Sequence, residues 1–187
     1  MPQRNLTRTI ALPGVEGCVI AVVSDTHGRP HIRLLPALKE IHPALILHAG
    51  DVGDPSLLTD LRTISETVFV RGNVDPRGST WPDAVTLHIQ LDGGLRLNLL
   101  LLHFAVLHFK LNETAWSLLR RNPVQMVVFG HSHLPFLGVD RKITLFNPGS
   151  AGPPRFGLPI TMGLIEVSAH RVTFKHLDLQ TGNAWRP

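Results

Sequence analysis

The stretch CVIAVVSDTHG, residues 18–28, joins a short apolar run to an Asp-x-His sequence. The run over 18–24 is continuous and rich in β-branched residues, which is typical of a strand that is buried on both faces. Asp25 and His27 follow the run at once, and both side chains are able to bind a metal ion. In open α/β sheets, ligands bind beyond the carboxyl ends of the strands. This stretch therefore predicts a buried strand that delivers two polar side chains to a site.

Four further apolar runs end in the same way. The residues that follow them are Asp51 after LILHAG, Asn73 after VFVRG, His103 after LLLL, and His131 and His133 after VVFG. Each of these alone is explained as well by a turn or by a hydrogen-bonded histidine. Together, the polar residues at the ends of five runs favour one common site, if the strands share a sheet edge.

The spacing of the apolar residues predicts an α/β fold. Three strands alternate with two helices, which indicates parallel strands with right-handed crossovers. These elements are predicted over 18–24, 31–41, 44–49, 56–64 and 67–70. The later elements are a hairpin over 85–91 and 95–103, a helix over 112–121, and strands over 126–130, 143–146, 161–167 and 171–177. The two hairpins are expected to turn at Asp92-Gly93-Gly94 and at Ser168-Ala169-His170.

Three residues bear on the ends of the helices. Pro36 is expected to kink or break the first helix, because proline lacks a backbone N–H. Asp54, just before Pro55, is predicted to cap the second helix, and Asn112 to cap the third.

The composition fits one globular domain. The 187 residues are 43% apolar and 17% charged, which is enough to build a core. We expect a single domain over 1–187, with 1–17 as an N-terminal extension. The apolar runs are too short for a membrane span, and the N-terminus lacks the pattern of a signal peptide, so a cytoplasmic location is expected. The single cysteine, Cys18, excludes an internal disulfide, and the net charge of +4 mildly favours anionic partners.

The motifs resemble those of a known family. SDTHG, HAGDVGD, VRGNVD, LLLH, FGHSH and NPGS follow the order and spacing of the calcineurin-like metallophosphoesterases, especially the small prokaryotic phosphodiesterase branch typified by YfcE. The resemblance runs from about residue 18 to the terminal hairpin. It implies a four-layer α-β-β-α sandwich of two mixed sheets, which agrees with the mixed strand pattern.

The resemblance also implies a site with two divalent transition-metal ions. The first ion would be held by Asp25, His27 and His133, the second by Asn73, His103 and His131, and Asp51 would bridge them. These donors suit Mn²⁺, which we favour, and also Ni²⁺, Fe, Zn²⁺ or Co²⁺, since the set contains no thiolate.

The implied reaction is hydrolysis of a small phosphodiester by a hydroxide held at the two ions. Asp51, Asn73 and His103 are the predicted catalytic residues, and Asn73 and Arg29 the predicted substrate contacts. A covalent phosphoenzyme is not required, so Cys18 receives no role.

The chain departs from the family pattern at two places. Val74 stands where many members have a histidine that protonates the leaving oxygen, and the YfcE-like branch also lacks that histidine. We therefore expect activated phosphodiesters to be cleaved better than alkyl monoesters. In addition, Phe104 and Ala105 replace the glycine and second histidine that usually follow the His103 position, which puts the loop shape and substrate contacts in question.

Other residues near the motifs have two interpretations. Asp75 either orients Asn73 and its loop or merely begins the Asp75-Pro76 turn. Asn147 in NPGS is expected to fix a turn behind the site, and His48 to be a hydrogen-bonded core residue.

Two other functions stay open. The small subunit of retromer has the same fold, so the chain could be a non-catalytic scaffold for protein partners. A nuclease is also conceivable, although the sequence contains no basic track beside the motifs and a nucleic-acid substrate is disfavoured. The physiological substrate and a homo-oligomeric state are left open by the sequence.

Overall fold

The apolar runs build two mixed β-sheets. The computed structural model describes residues 4–12, 17–77, 80–92, 94–168 and 171–186. The predicted turn residues Gly93, Ala169 and His170 lie outside these ranges, as do 1–3 and 13–16 of the predicted extension.

The elements follow one another in this order: β1 Asn5–Leu12, β2 Cys18–Val23, α1 Leu34–Ile41, β3 Leu45–His48, α2 Ser56–Ile64, β4 Thr67–Phe69, β5 Ala84–Leu91, β6 Arg96–Leu102, β7 Val106–Leu107, β8 Lys110–Leu111, α3 Glu113–Arg121, β9 Met126–Val128, β10 Pro135–Asp140, β11 Ile143–Pro148, β12 Thr161–Ser168, β13 Arg171–Asp178 and β14 Ala184–Trp185. The first sheet has the order β1-β5-β6-β9-β11-β10, and the second has the order β14-β13-β12-β2-β3-β4. A small hairpin joins β7 to β8.

Three apolar layers hold the sandwich together. The central layer lies between the sheets and contains Ile20, Leu87, Leu99 and Phe146, which are all fully buried. Helices α1 and α2 cover the outer face of the second sheet, and α3 covers that of the first. The order of layers is therefore helix, sheet, sheet, helix, and the predicted four-layer α-β-β-α fold is confirmed.

The parallel β2-β3-β4 unit also follows the prediction. Pro36 does not break α1, because it is the third residue of that helix, where the N–H has no intrahelical partner. Asn112 is the N-cap of α3 as predicted, and its side chain accepts the backbone N–H of Ala115 at 2.9 Å. The N-cap of α2 is Pro55 and not Asp54, which lies one residue earlier, although the Asp54 side chain still accepts the backbone N–H of Ser56 at 2.9 Å.

The sequence pattern does not predict the two edge strands of the first sheet, β1 and β10. Residues 5–12, which the sequence assigns to an extension, form β1 and pair in parallel with β5. Strand β10 begins at Pro135 and contains Gly138, and both residues are tolerated at a sheet edge although they weaken the sequence signal for a strand.

Among the described residues, the helices are too short to cross a membrane.

The acid sensitivity of the fold is predicted to depend on His48. Its fully buried ring lies at the end of β3, where Nε2 donates to the Thr26 hydroxyl at 3.0 Å, since that hydroxyl itself donates to the Val52 carbonyl. Burial lowers the pKa of His48 from 6.5 to about 4, so the unfolded chain binds more protons between these values. The contribution of His48 to the free energy of unfolding should therefore fall by about 3 kcal/mol as the pH drops through this range.

Denaturant titrations of the metal-free protein between pH 6.5 and 4 measure the effect. The His48→Gln variant should show a flatter dependence of unfolding free energy on pH, whatever its absolute stability. The exposed His42→Asn variant should keep the wild-type slope. Equal slopes in the wild type and in His48→Gln would contradict the prediction.

Candidate metal centre

The candidate ligands meet at one end of the sandwich. They follow β2, β3 and β4 of the second sheet and β6 and β9 of the first. The five strands do not share one sheet edge, and their ends converge because the carboxyl ends of strands from two sheets face each other. The backbone N–H of His131 donates to Asp25 Oδ2 at 3.1 Å and joins the two halves.

One cluster consists of Asp25, His27 and His133. The Nε2 atom of His133 lies 3.3 Å from Asp25 Oδ1 and 3.2 Å from His27 Nε2. Burial lowers the pKa of both histidines, that of His133 to about 4. Both rings are therefore neutral near pH 7, as metal ligands must be.

A second cluster consists of Asp25, Asp51 and His103. The Nδ1 atom of His103 donates to the Ala49 carbonyl at 2.8 Å, which directs Nε2 toward Asp51 Oδ1 at 3.5 Å. A ligating histidine commonly has such a second hydrogen bond, since it fixes the tautomer and the ring orientation.

Asp51 reaches both clusters. One carboxylate oxygen lies 3.5 Å from His103 Nε2 and the other 3.7 Å from His27 Nε2. The backbone N–H of Val74 donates to the first of these oxygens at 3.0 Å and ties the carboxylate to the loop after β4.

Asn73 and His131 complete the set at its exposed side. Asn73 Nδ2 lies 3.1 Å from His131 Nδ1, and the His131 ring packs edge-on against His103 with centroids 5.2 Å apart. The structure thus brings together all seven side chains that the sequence singles out.

The backbone is strained at these ligands. Asp25, His27, Asp51, His131 and His133 all have positive φ, between 49° and 70°. This left-handed region is uncommon for residues other than glycine, and such conformations cluster at functional sites. Their concentration at the candidate ligands indicates that the fold is constrained to aim these side chains at a common point.

Two glycines allow the strand ends to approach closely. A methyl group on Gly72 would meet the backbone nitrogen and the carboxylate of Asp51, and one on Gly130 would meet the hydroxyl of Ser24. Both glycines directly precede a candidate ligand, so they let the loops carrying Asn73 and His131 come close to their neighbours.

The residues fit a divalent metal ion. Within the described ranges, the buried atoms Asp25 Oδ1 and His103 Nε2 have no hydrogen-bond partner. Leaving a buried carboxylate oxygen without a partner is costly, and a bound cation removes that cost. Carboxylate and imidazole donors together suit first-row transition metals.

The electrostatics support the same conclusion. Burial raises the pKa of Asp25 to about 6. Burial also opposes ionisation of Asp51, but the adjacent His103 outweighs it and holds the Asp51 pKa below its usual range. Conversely, Asp51 and Asp25 raise the pKa of His103 although burial opposes this. The two carboxylates thus favour the positively charged form of His103. A bound metal cation would supply positive charge at the same place.

Two polar residues behind the ligands fix the loops. Asp75 is buried, and its carboxylate accepts the backbone N–H groups of Val52, Gly53 and Gly72 at 3.2, 2.9 and 2.7 Å. It therefore ties the loop of Asp51 to that of Asn73 and does more than begin a turn.

Asn147 plays the corresponding role for the His131 loop. Its amide donates to the Gly130 carbonyl at 2.8 Å and to the Ser132 hydroxyl at 3.1 Å. The predicted position of Asn147 behind the site is thus confirmed.

Arg155 is a charged residue near the site that the sequence reasoning missed. Hydrogen bonds from Ser150 Oγ to the Asp25 carbonyl and from Ala151 N to the Ser24 carbonyl fasten its loop beside the Asp-x-His sequence. After burial, its positive charge contributes to the lowered pKa of both His27 and His133. The only signal in the sequence is an arginine a few residues after NPGS. Arg29, the substrate contact that the sequence predicts, is exposed in the loop that follows β2.

Comparisons with known proteins agree with this geometry. Residues 19–170 match the sequence profile of the calcineurin-like phosphoesterase superfamily domain. A probable metallophosphoesterase of Methanothermobacter thermautotrophicus is 31% identical over 152 residues, which cover 78% of this chain and 84% of the relative. The chain belongs to the calcineurin-like phosphoesterase superfamily.

Solved structures of this superfamily share the fold. YfcE, a phosphoesterase from E. coli, superposes with a TM-score of 0.57 at 22% identity over 89% of this chain and 96% of that one. Vps29 from Entamoeba histolytica, solved in complex with zinc, has a TM-score of 0.68 at 20% identity over the same shares of the two chains. At these identities the likeness concerns the fold alone.

The close approach at Gly72 yields a prediction. Gly72→Ala places a methyl group against Asp51, so the loop must shift, and overpacking of this kind costs about 1–3 kcal/mol of stability. We expect the affinity for divalent metal to fall about 10- to 100-fold, because the groups that orient the ligands move.

Calorimetric titration with Mn²⁺ and thermal unfolding in chelator measure the two effects. Gly94→Ala is the matched control, since its methyl group meets no atom within 4 Å and adds only backbone strain. Wild-type metal affinity in Gly72→Ala would show that the loop tolerates the displacement and would refute the argument.

Proposed function

We propose that this protein is a metal-dependent phosphodiesterase with a dinuclear centre. The observation that carries the proposal is the position of Asp51, whose two oxygens lie 3.5 Å from His103 and 3.7 Å from His27. We assign one ion to Asp25, His27 and His133, the other to Asn73, His103 and His131, and the bridging role to Asp51. Mn²⁺ is the favoured metal.

The reaction follows from what the ions and the residues supply. When bound, two divalent ions neutralise charge on the phosphate oxygens and make water a stronger nucleophile. The chain itself orients the donors, through Ala49 behind His103 and Asp75 behind the Asp51 loop. Cys18 lies at the amino end of β2, opposite the site, and burial raises the pKa of its thiol, so it is not a nucleophile for this reaction.

The preference for diesters with good leaving groups rests on Val74. Its side chain is 53% exposed next to Asn73 and has no proton to give to a departing oxygen. A leaving group that is stable as an anion needs no such proton. Aryl and other activated esters are therefore the expected substrates, and alkyl esters the poor ones.

A non-catalytic scaffold is the main alternative, because Vps29 proteins have this fold. Metal content alone does not decide between the two functions, since one Vps29 structure itself holds zinc. Turnover does decide. All seven candidate ligand positions carry side chains that are able to bind a metal ion, and this favours the enzyme.

A nuclease is the second alternative. Arg29 and Arg155 are exposed basic residues near the site, and they belong to loops separated by more than 100 residues in sequence. Phosphate contacts in a nuclease would make binding of single-stranded DNA strongly salt-dependent. A small diester needs only one such contact.

The proposal is tested with a matched pair of substrates. Methyl 4-nitrophenyl phosphate and 4-nitrophenyl phosphate share one leaving group and differ in being a diester and a monoester. The protein reconstituted with Mn²⁺, and in parallel with Zn²⁺, Ni²⁺ and Co²⁺, should bind two ions per chain and hydrolyse the diester with the larger kcat/KM.

Asp51→Asn should lower kcat at least about a hundredfold, because the bridging charge is lost while the Val74 N–H keeps an acceptor. Asp60→Asn on the exposed face of α2 is the control and should be fully active. No turnover of either ester by any metal form would refute the enzyme, and faster turnover of the monoester would refute the diester preference.

The two arginines near the site give a second prediction. We assign a phosphate contact to Arg155, which is exposed in the loop fastened to Asp25. Arg155→Gln should then raise KM for the diester about tenfold with little change in kcat, because that positive charge is removed. Arg29→Gln is the matched comparison and tests the substrate contact that the sequence predicts. A larger rise in KM for Arg29→Gln would reverse the assignment.

A further inference from the structure

Phe104 places an apolar ring beside the candidate metal centre. Its side chain is 43% exposed, and its ring centroid lies 4.7 Å from that of His131, with the planes tilted by 56°. His131 is itself exposed and hydrogen-bonded to Asn73. A molecule bound at these two residues would therefore lie within reach of the Phe104 ring.

The loop that carries Phe104 is fixed by its surroundings. The Asn112 amide donates to the Phe104 carbonyl at 3.0 Å, and the Asn112 backbone N–H donates to the Ala105 carbonyl at 2.8 Å. His103 and Ala105 are buried on either side of Phe104 in the sequence. Because neighbouring side chains of an extended segment point to opposite sides, Phe104 faces outward. The ring is thus presented before any ligand arrives, which limits the entropy lost on binding.

The polarity of the site is uneven. Val74, the neighbour of Asn73, is also an exposed apolar residue, so both departures from the family pattern fall on the side of Asn73 and His131. Arg155 is exposed in a loop that is fastened to the opposite side, where Ser150 Oγ donates to the Asp25 carbonyl and Ala151 N to the Ser24 carbonyl. An anionic group and an apolar group are therefore accommodated at different sides of one site.

We propose that Phe104 binds a planar aromatic group esterified to the substrate phosphate, such as an aryl ring or a nucleobase-bearing ester. This inference rests on the proposed function and specifies its substrate class. Aromatic rings prefer offset or edge-to-face contacts at centroid distances of 4.5–7 Å, and an exposed, fixed phenylalanine provides such a surface. An alkyl ester would gain little from the same contact.

Binding of uncleavable ligands tests the inference without relying on turnover. Methyl(phenyl)phosphinate and dimethylphosphinate carry the same single charge and contain only P–C bonds at the two substituents, so neither is hydrolysed. Their dissociation constants are measured by calorimetry on the Mn²⁺-loaded protein, and metal content is determined for every variant.

The wild type should bind the phenyl ligand more tightly than the dimethyl ligand. Phe104→Ala should weaken binding of the phenyl ligand about three- to tenfold and leave that of the dimethyl ligand unchanged. Phe104→Trp should retain the preference. Phe109→Ala is the control, because Phe109 is an exposed phenylalanine in the nearby β7–β8 turn whose ring lies against Phe136 instead, with centroids 5.6 Å apart.

The outcomes separate this inference from the function on which it rests. An unchanged phenyl preference in Phe104→Ala, or equal weakening of both ligands, would overturn the role of Phe104 while phosphinate binding still supports a phosphoesterase. Failure of the metal-loaded wild type to bind either phosphinate would count against the proposed function itself.

Discussion

The fold and the site both depend on how the carboxylate of Asp25 is held between two sheets. Its Oδ2 accepts the backbone N–H of His131, which joins the end of β2 in one sheet to the end of β9 in the other. Its Oδ1 lies 3.3 Å from His133 and has no hydrogen-bond partner among the described residues. A buried carboxylate with one oxygen lacking a hydrogen bond is stabilised by a nearby cation. The same group therefore closes one end of the sandwich and contributes to both candidate metal-binding clusters.

The left-handed backbone conformations at this end are stabilised by hydrogen bonds and packing around them. Left-handed conformations cost of order 1–3 kcal/mol each and persist only where the surroundings enforce them. Here the backbone bonds from Asp25 N to the Gly50 carbonyl and from His27 N to the Asp51 carbonyl lock the two loops together at 3.0 and 2.9 Å. Below them lies the apolar layer between the sheets, in which Val22, Leu47 and Val128 are buried close to the ends of the strands that carry these loops.

The sequence predicts the ligands better than it predicts their arrangement. A buried strand ends where its apolar run ends, so the runs alone single out Asp25, Asp51 and His131 as candidates, and the resemblance to the family is what assigns them to the proposed ions. The runs do not encode the sheet to which a strand belongs, and the meeting of two sheets at the site depends on long-range pairing. Arg155 was not predicted for a related reason. In the sequence it is an isolated arginine in a proline-rich loop, and its position beside the site depends on the hydrogen bond that fastens this loop to Asp25.

The two departures from the family pattern are chemically consistent with each other. Valine at position 74 offers no proton to a leaving group, so the proposed reaction favours leaving groups that are stable as anions. Among oxygen leaving groups, aryl oxides have this property because the ring delocalises the charge. An exposed phenylalanine on the same side of the site offers such a ring a surface against which to pack. In the proposed function, the missing general acid and the proposed aromatic contact would therefore favour the same class of ester, and neither feature alone would narrow the substrates as far.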